Sequence, residues 1–410
     1  MFIFSLFFLL RFSGFNDEWY EFKLNDISER ITRKNKKLET NRPLTISAQY
    51  GLVDQIEYFD KIVASDSLIN YYLLYNGEFA YNKSYSNGYP FGAVKRLDDY
   101  EHGAISTLYI CFKVNDKMNS DFLNEYFETD KWYKEIYKIA VEGARNHGLL
   151  NIAVADFFNT KHILPTNPKE QEKLAKFLIN INKKIGLLKK KHQAYLDFKK
   201  YLMQQIFTQK LRFKNYDVED FKDWKERKLS EFLVEHKLKS TGNEEVYSVS
   251  VHKGLVNQVE HLGRDFSASD TSKYNLVKYG DIVYTKSPTG DFPLGIIKQS
   301  HVNKDVIVSP LYGVFTPETY DLGYILNDYF ESNVNTFNYL HPIVQKGAKN
   351  TMNITNKTFL SKSLFVPTDK REQHKISECL SKINKAINLI EIQIQHNIEF
   401  KKGLLQQMFV

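Results

Sequence analysis

The feature that most constrains the fold is an internal repeat that runs the length of the chain. The phrase FKKGLLQQMF at residues 400–409 has already occurred as FKKYLMQQIF at residues 198–207. Other segments recur in the same order at an offset close to 203, such as GLVDQ at 51–55 and GLVNQ at 254–258. Self-similarity at a fixed offset indicates duplicated structural units. The sequence therefore predicts two copies of one unit in tandem.

Composition agrees with a globular protein of two or three domains. A chain of 410 residues is longer than one hydrophobic core usually supports, and 42% hydrophobic with 26% charged residues is typical of globular proteins. Cys111 and Cys379 lie far apart and lack the spacing of a zinc site or a disulfide scaffold, which fits a reducing compartment. The formal charge of +7 fits a polyanionic partner without requiring one.

The first ten residues, MFIFSLFFLL, resemble a signal sequence. They lack a basic start, no small-residue cleavage site follows, and a membrane span needs roughly 20 apolar residues. The repeat also begins inside this stretch, because LRF at 10–12 is echoed at 211–213. We therefore expect the folded unit to begin near residue 10, with residues 1–9 outside it, and we expect a cytoplasmic protein without a membrane partner.

Each unit is predicted to be a mixed α/β globule followed by a long helix, which makes the fold class α+β. Short β-branched runs such as YSVSV at 247–251 are bounded by turn residues and indicate strands. Residues 121–141 carry aromatic and apolar side chains at helical spacing. We place the boundaries at 10–166 and 211–367 for the globules, and at 167–210 and 368–410 for the helices.

Apolar residues repeat every three and four positions along both predicted helices, which is the pattern of a coiled-coil seam. One such helix could simply cover its own globule, but the shared register favours pairing of the two helices. Because tandem units related by a near two-fold rotation would pair in opposite directions, we predict an antiparallel coiled coil with pseudo-two-fold symmetry and one globule at each end. The residues predicted to pair are Leu174, Leu178, Ile181, Ile185, Leu188, Leu202, Ile206, Ile376, Leu380, Ile383, Ile387, Ile390, Ile394, Leu404 and Met408.

Two details of the helices carry further expectations. Asn167 and Asp369 are typical N-cap residues, and Glu170 and Glu372 follow them at the spacing of a capping box. Near the helix ends, the first lysine of each FKK phrase falls on the seam, at 199 and 401. We expect these lysines to reach solvent or the seam to open there, and we expect the Lys-Lys and Gln-Gln pairs to face solvent or a docked subunit.

No motif of a stand-alone enzyme is present. The sequence lacks GxxxxGK[ST], GxGxxG, GxSxG and HExxH, and no carboxylate cluster suited to a metal recurs in both copies. We therefore predict no catalytic residue, no metal site and no cofactor in this chain.

Polar, aromatic and basic residues recur instead, at YNKS and YTKS after predicted strands and at GARN and GAKN. Tyrosine can stack or hydrogen-bond, lysine and arginine meet phosphate, and serine and asparagine contact phosphates or base edges. Each segment could equally be a structural turn. The candidate DNA-binding residues are Tyr81, Lys83, Ser84, Arg145, Asn146, Tyr284, Lys286, Ser287, Lys349 and Asn350.

The ordered set of motifs resembles the specificity (S) subunit of a Type I restriction–modification enzyme. Its marks are an Arg-Phe…Trp…Lys-Leu start at 11–24 and 212–229, and Pro-x-x-x-x-Glu-Gln at 165–171 and 367–373. A long helix that closes with Lys-Lys-x-Leu-x-Gln-Gln follows in both copies. The resemblance covers nearly the whole chain, from about residue 10.

The resemblance implies a DNA-binding subunit that is not itself an enzyme. Two target-recognition domains would each read one half of a bipartite, asymmetric site in double-stranded DNA. The paired helices would set the gap and dock two modification (methyltransferase) subunits. S-adenosylmethionine, ATP and Mg would serve those subunits and the restriction (translocase and endonuclease) subunits. We predict different half-sites, because the copies differ at positions taken as surface, such as Asn82 against Thr285 and Tyr89 against Phe292.

Two alternatives stay open at this stage. A stand-alone DNA-modifying enzyme would need a cofactor motif and would methylate DNA without partners. A structural or interaction protein built from tandem modules would bind no DNA. A binding titration against salt separates these classes, because phosphate contacts weaken steeply as salt rises.

Overall fold

The computed structural model describes residues 10–61, 67–140, 150–215, 217–262, 270–346 and 352–409. These residues form two compact units. The first unit takes the described residues up to Lys189 together with those from Ile392 onward, and the second takes Lys190–Glu391. Each unit thus holds one globule, the first part of the helix that follows it, and the last part of the other long helix.

The secondary-structure elements follow the repeat. In chain order, the first repeat contains β1 (Tyr20–Lys23), α1 (Leu24–Ile27), β2 (Ser28–Arg30), β3 (Pro43–Ser47), β4 (Gly51–Asp54), α2 (Gln55–Phe59), β5 (Tyr72–Tyr75), β6 (Phe79–Asn82), β7 (Ala93–Arg96), β8 (His102–Ile105), β9 (Ile110–Val114), α3 (Ser120–Tyr126), α4 (Tyr133–Ile139), α5 (Val154–Phe158), β10 (Lys161–Leu164) and α6 (Pro168–Phe207). The second contains β11 (Lys225–Lys228), a 3-10 turn (Leu229–Glu231), β12 (Leu233–Glu235), β13 (Tyr247–Ser250), β14 (Gly254–Asn257), α7 (Gln258–Leu262), β15 (Asn275–Val277), β16 (Ile282–Tyr284), β17 (Ile297–Gln299), β18 (Val306–Val308), β19 (Gly313–Pro317), α8 (Tyr320–Glu331), α9 (Asn333–Leu340), β20 (Gln345–Lys346), β21 (Met352–Asn353), α10 (Asn356–Phe359), β22 (Ser363–Val366) and α11 (Lys370–Met408).

The two globules share one sheet topology. Their main sheets have the strand orders β2-β9-β6-β7 and β12-β19-β16-β17, and every pair in them is antiparallel. The first and last strands of each globule pair as β1–β10 and β11–β22, next to the start of the long helix. A second sheet, β4-β3-β8-β5, contains the parallel pair β3–β8, and a single parallel bridge from Val246 to Ile307 stands at the same place in the second globule. The mixed α+β class and the tandem duplication are confirmed.

The central strands are buried on both faces. Successive side chains of a strand point to opposite faces of the sheet, and a separate core lies on each face. In β6, Phe79 and Tyr81 join a large aromatic core, whereas Ala80 joins a smaller cluster beneath the second sheet. In β16, Tyr284 and Val283 divide in the same way between two clusters. Each globule therefore has two cores that share one sheet.

The two long helices pair in opposite directions, as each unit by itself shows. In the first unit, Leu178 near the start of α6 packs in one cluster with Leu404 near the end of α11. In the second unit, Leu202 near the end of α6 packs with Leu380 near the start of α11. Every residue predicted for the seam is buried except Leu188 and Ile387, which are half-buried. The same clusters also contain globule residues, so each helix covers its own globule as well.

The N-cap predictions are confirmed, whereas the capping boxes are wrong. Oδ1 of Asn167 and of Asp369 accepts the backbone amide two residues further on, at 3.0 and 2.9 Å. The carboxylates of the two glutamates bind arginine side chains instead of the backbone amides of the N-cap residues. Glu170 accepts two hydrogen bonds from Arg11 at 2.8 and 2.6 Å, and Glu372 accepts two from the equivalent arginine at 3.2 and 3.1 Å. A buried carboxylate gains more from a charged fork of donors than from one backbone amide.

The glutamine of the same motif joins each helix to its globule. The amide nitrogens of Gln171 and Gln373 donate to the carbonyl of the proline six residues earlier, at 2.8 and 2.9 Å. Their amide oxygens accept from the backbone of Asn119 at 2.7 Å and from the hydroxyl of Thr319 at 2.6 Å. The recurring Pro-x-x-x-x-Glu-Gln motif is therefore a structural junction. Among the described residues, no helix is long and apolar enough to cross a membrane.

Candidate nucleic-acid interface

The candidate residues that the structure describes lie in equivalent hairpins of the two units. The first hairpin loop (83–92) joins β6 to β7, and the second hairpin loop (286–295) leads from β16 towards β17. Paired backbone hydrogen bonds close the loops between Ser86 and Tyr89 and between Thr289 and Phe292. The duplicated YNKS and YTKS segments are thus the entry to one type of hairpin.

Tyr81 and Tyr284 form the base of these loops. Both are 0% exposed, and each ring stacks on a phenylalanine of the core. Their hydroxyls donate to the backbone carbonyls of Phe91 and Leu294, both at 2.8 Å. Burial raises the pKa of both hydroxyls. The prediction that these two tyrosines contact DNA is wrong, because each ring would have to leave the core to do so.

Each loop ends in a glycine two residues after a proline, as PFG at 90–92 and PLG at 293–295. Gly92 and Gly295 have φ of 80° and 100°, a region that side chains disfavour. A Cβ atom on Gly92 would lie 2.1 Å from the carbonyl oxygen of Asn82, and one on Gly295 would lie 2.8 Å from the ring of Tyr284. The loop therefore returns to its base through a space that only glycine fits.

Lys83, Ser84, Lys286 and Ser287 stand where each loop leaves its base. The first three are half-buried and Ser287 is exposed. Lys286 has a φ of 54°, which is uncommon for a residue with a side chain. Burial lowers the pKa of its ammonium, and nearby Glu235 partly opposes that change. Strained backbone and partly desolvated charges cluster at functional sites. DNA contact by these four residues stays a prediction.

The other four candidates, Arg145, Asn146, Lys349 and Asn350, lie outside the described residues. In the first unit, the amide of Leu150 donates to the carbonyl of Lys83 at 2.9 Å, so Leu150 lies against the first hairpin loop. In the second unit, β20 and β21 pair in an antiparallel arrangement.

The differences between the copies that were taken as surface differences are structural. Oδ1 of Asn82 accepts the amide of Ser84 at 3.0 Å, and the buried hydroxyl of Thr285 accepts the amide of the buried Ile296 at 3.0 Å. The hydroxyl of Tyr89 donates to Glu128 at 3.2 Å, and the equivalent Phe292 is buried. These four residues shape the loops from inside.

The loops differ instead at their exposed tips, which sequence reasoning did not single out. Tyr85 is 61% exposed where the second loop has the exposed Pro288. Further along, Asn87-Gly88 in one loop stands where Gly290-Asp291 stands in the other, and all four are exposed. The signal was available, because these positions lie between recurring residues and themselves do not recur.

Within the described ranges, no group of three or more His, Cys, Asp or Glu side chains is placed to hold a metal ion. The recurring polar contacts in each globule are hydrogen bonds and ion pairs that join elements of the fold. What the loops offer to a ligand is hydroxyl, amide and ammonium groups, which suit phosphate and base edges.

Comparison with known proteins places the whole chain in one architecture. No protein-family model matches the sequence, and no curated protein matches it. Among solved structures, the S subunit of a Type I restriction–modification system from M. genitalium is similar at a TM-score of 0.58 and 12% identity, over 97% of this chain and 98% of that one. A chain from a study of complex assembly and conformational transition in the type I R-M system is similar at 0.52 and 13% identity, over 96% and 98%.

These similarities extend along almost the full length of both compared chains, at low sequence identity. They show that this chain has the fold of a Type I restriction–modification S subunit, with two tandem globules and two long paired helices. The resemblance noted in the sequence is confirmed at the level of the fold.

Proposed function

We propose that this chain is the sequence-specific DNA-binding subunit of a Type I restriction–modification complex. Each globule acts as a target-recognition domain that reads one half of a bipartite, asymmetric site in double-stranded DNA. The observation that carries this proposal is that two units with one topology present hairpin tips that differ, as at Tyr85 and Pro288. A shared scaffold with different exposed tips suits two readers of different sequences.

The long helices supply the spacing in this proposal. Helix α6 has 40 residues and α11 has 39, which corresponds to rods of about 60 Å. Two readers on a rigid spacer engage one face of a duplex only at certain separations, such as the roughly 34–36 Å of one DNA turn. The helices would therefore set the gap between the half-sites.

The helices also carry surfaces suited to docking two copies of one partner. Leu187 and Phe198 on α6 are 59% and 51% exposed, and their equivalents Leu389 and Phe400 on α11 are 59% and 56% exposed. Single exposed apolar side chains are common, so the inference rests on their recurrence at the same positions of both helices. We assign them to two modification subunits, which would methylate with S-adenosylmethionine. Restriction subunits would use ATP and Mg, the chain itself would have no catalytic role, and the complex would act in the cytoplasm.

A binding titration tests the proposal against its alternatives. The full chain should bind duplex DNA, and its affinity should fall steeply between 50 and 200 mM salt, by roughly a thousand-fold if several phosphates are contacted. Binding without salt dependence, or no binding in the assembled complex, would favour a structural protein. Methylation of DNA by the purified chain alone would favour a stand-alone enzyme.

A further inference from the structure

Each unit contains a buried polar contact that joins the two long helices to a short helix of the globule. In the first unit, Nζ of Lys401 on α11 lies 3.3 Å from Oε2 of Glu125 on α3. Asn182 on α6 donates its amide to the other oxygen of the same carboxylate at 2.7 Å. We call these three residues the first clasp.

The second unit repeats the arrangement with the helices exchanged. Nζ of Lys199 on α6 lies 3.6 Å from Oδ1 of Asp328 on α8. Asn384 on α11 donates to the two oxygens of that carboxylate at 3.3 and 3.2 Å. These three residues form the second clasp. Here the ammonium of Lys199 also contacts Glu331 at 2.5 Å, so the second clasp has an additional anion.

The clasps are equivalent in all three positions, at the offset of the repeat. Glutamate in the first clasp is replaced by aspartate in the second, so the chemistry is kept although the residue has changed. The carboxylates are 3% and 0% exposed. Lys199 is 9% exposed, whereas the following residue, Lys200, is exposed. The expectation that both lysines of each FKK phrase face solvent or a docked subunit is therefore wrong for Lys199, and the half-buried Lys401 has its ammonium on Glu125.

Burial makes these contacts sensitive to position. A buried charge is costly unless its partner stays in place, whereas apolar contacts along a seam tolerate a change of neighbour. A polar residue at one seam position is known to specify register in coiled coils. If one helix slid past the other, the Lys401 ammonium would leave Glu125, whose Oε2 has this ion pair and no hydrogen bond.

We propose that Lys199 and Lys401 are positioning residues that hold the two helices at one axial offset. On the proposed function, the same offset fixes the gap between the two DNA half-sites. Apolar contacts at the ends of the helices hold each helix against a globule, since Phe409 packs on Trp19 and Phe207 on Trp224. The clasps select which of the possible offsets is occupied.

The first test measures the offset without DNA. Nitroxide labels are placed at Lys183 on α6 and Gln395 on α11, both exposed in the first unit, in a full-length chain with Cys111→Ala and Cys379→Ser. Pulsed electron spin resonance then gives the distance between the labels. The test variant combines Lys401→Met and Glu125→Gln with Lys199→Met and Asp328→Asn, which removes the ion pair of both clasps, so that neither can hold the offset alone. The matched control is Lys200→Met with Lys402→Met, which removes the two exposed neighbouring lysines.

The wild type and the control should each show a single distance. The test variant should add a second population of label distances, because a slide of one heptad moves the labels about 10 Å relative to each other along the helix axis. An unchanged single distance in the test variant would overturn the proposal.

A second variant decides the question even if the first does not fold. Ile394→Lys with Lys401→Ile, combined with His192→Lys and Lys199→Ile, moves both seam lysines back by one heptad. The helices should then slide by about 10 Å, which brings the new ammonium groups to Glu125 and Asp328. A folded chain with the wild-type distance would contradict the proposal.

The consequence for DNA is measured separately, by sequencing methylated sites made by the complete complex. The test variant should produce two gap lengths where the wild type produces one, and retention of the single gap would overturn the link from clasp to gap. If the wild type itself methylates no bipartite site, the proposed function fails, while the label distances still decide the role of the clasps.

Discussion

The two units share one scaffold but carry different ionisable groups at equivalent places. In the first unit, Arg33 binds the carboxylate of Glu78 at 2.6 Å. In the second, His236 stands where the arginine was and lies 2.9 Å from Asp281. At another position the histidine is in the first unit: His162 is buried there, and the second unit has a leucine at the equivalent place. Duplication has thus kept the geometry while the interior charges have diverged, and each unit should have its own response to substitution and pH.

The largest effect is expected at the junction between each globule and its helix. Arg11→Ala leaves Glu170 buried without its cation, and we expect a loss of about 4 kcal/mol of unfolding free energy. Arg212→Ala should cost less, about 3 kcal/mol, because its bonds to Glu372 are longer. Denaturant unfolding of the two variants measures the difference. Arg371→Ala, which removes a cation that is largely exposed, is the control and should leave stability unchanged.

The next prediction separates the units by pH. Burial lowers the pKa of His162 to about 4, below its unfolded value of 6.5. Between these two pH values the unfolded chain binds a proton at this histidine and the folded first unit does not. The free energy of unfolding of this unit should therefore fall by up to about 3 kcal/mol as the pH falls from 6.5 towards 4. Burial raises the pKa of Asp328 to about 6, so in the second unit this group acts with the opposite sign over the same range.

Hydrogen exchange at pH 7 and pH 5, corrected for intrinsic rates, resolves the two units. Protection should fall more in the first unit than in the second. His162→Leu, which copies the residue of the second unit, should remove the extra loss. Equal losses in both units of the wild type would contradict this account of the interior.

A smaller effect is expected within the first hairpin loop. Gly92→Ala should cost about 2–3 kcal/mol, because its Cβ would meet the Asn82 carbonyl in addition to the strain at positive φ. Gly88→Ala has a similar φ of 82° but open space around the Cβ, so it should cost about 1 kcal/mol. Thermal unfolding of the two variants gives the comparison. Equal losses of unfolding free energy in the two variants would contradict this account, because the backbone around Asn82 would then have moved to make room for the Cβ.

The smallest effect on stability, and a change in DNA preference, is expected at the loop tips. Tyr85→Ser with Asn87→Asp alters only exposed positions and keeps Gly88, so unfolding should change by less than about 0.5 kcal/mol. The half-site read by the first unit should nevertheless change, as sequencing of DNA selected from a random pool would show. An unaltered preference would remove the tips from the candidate interface.

Patterns that repeat over many residues were sufficient to predict the architecture. The heptads identified both long helices and their pairing, and the repeat identified two equivalent globules. Short recurring motifs were harder to interpret, because recurrence does not distinguish a residue kept for the core from one kept for a ligand. Tyr81 illustrates this, since its partner is the carbonyl of Phe91, ten residues away in a hairpin that its own segment does not reveal. The role of Glu170 was likewise hidden, because its partner Arg11 lies far away in the sequence and meets it only at the start of the folded helix.

The comparison of the two units leads to one central claim, which is that they read different halves of one DNA site. The most direct test is the methylome of a host that carries this system as its only restriction–modification system. We predict methylated adenines in a bipartite target with two unlike halves and a single gap length. A palindromic target, or a continuous one without a gap, would contradict the claim.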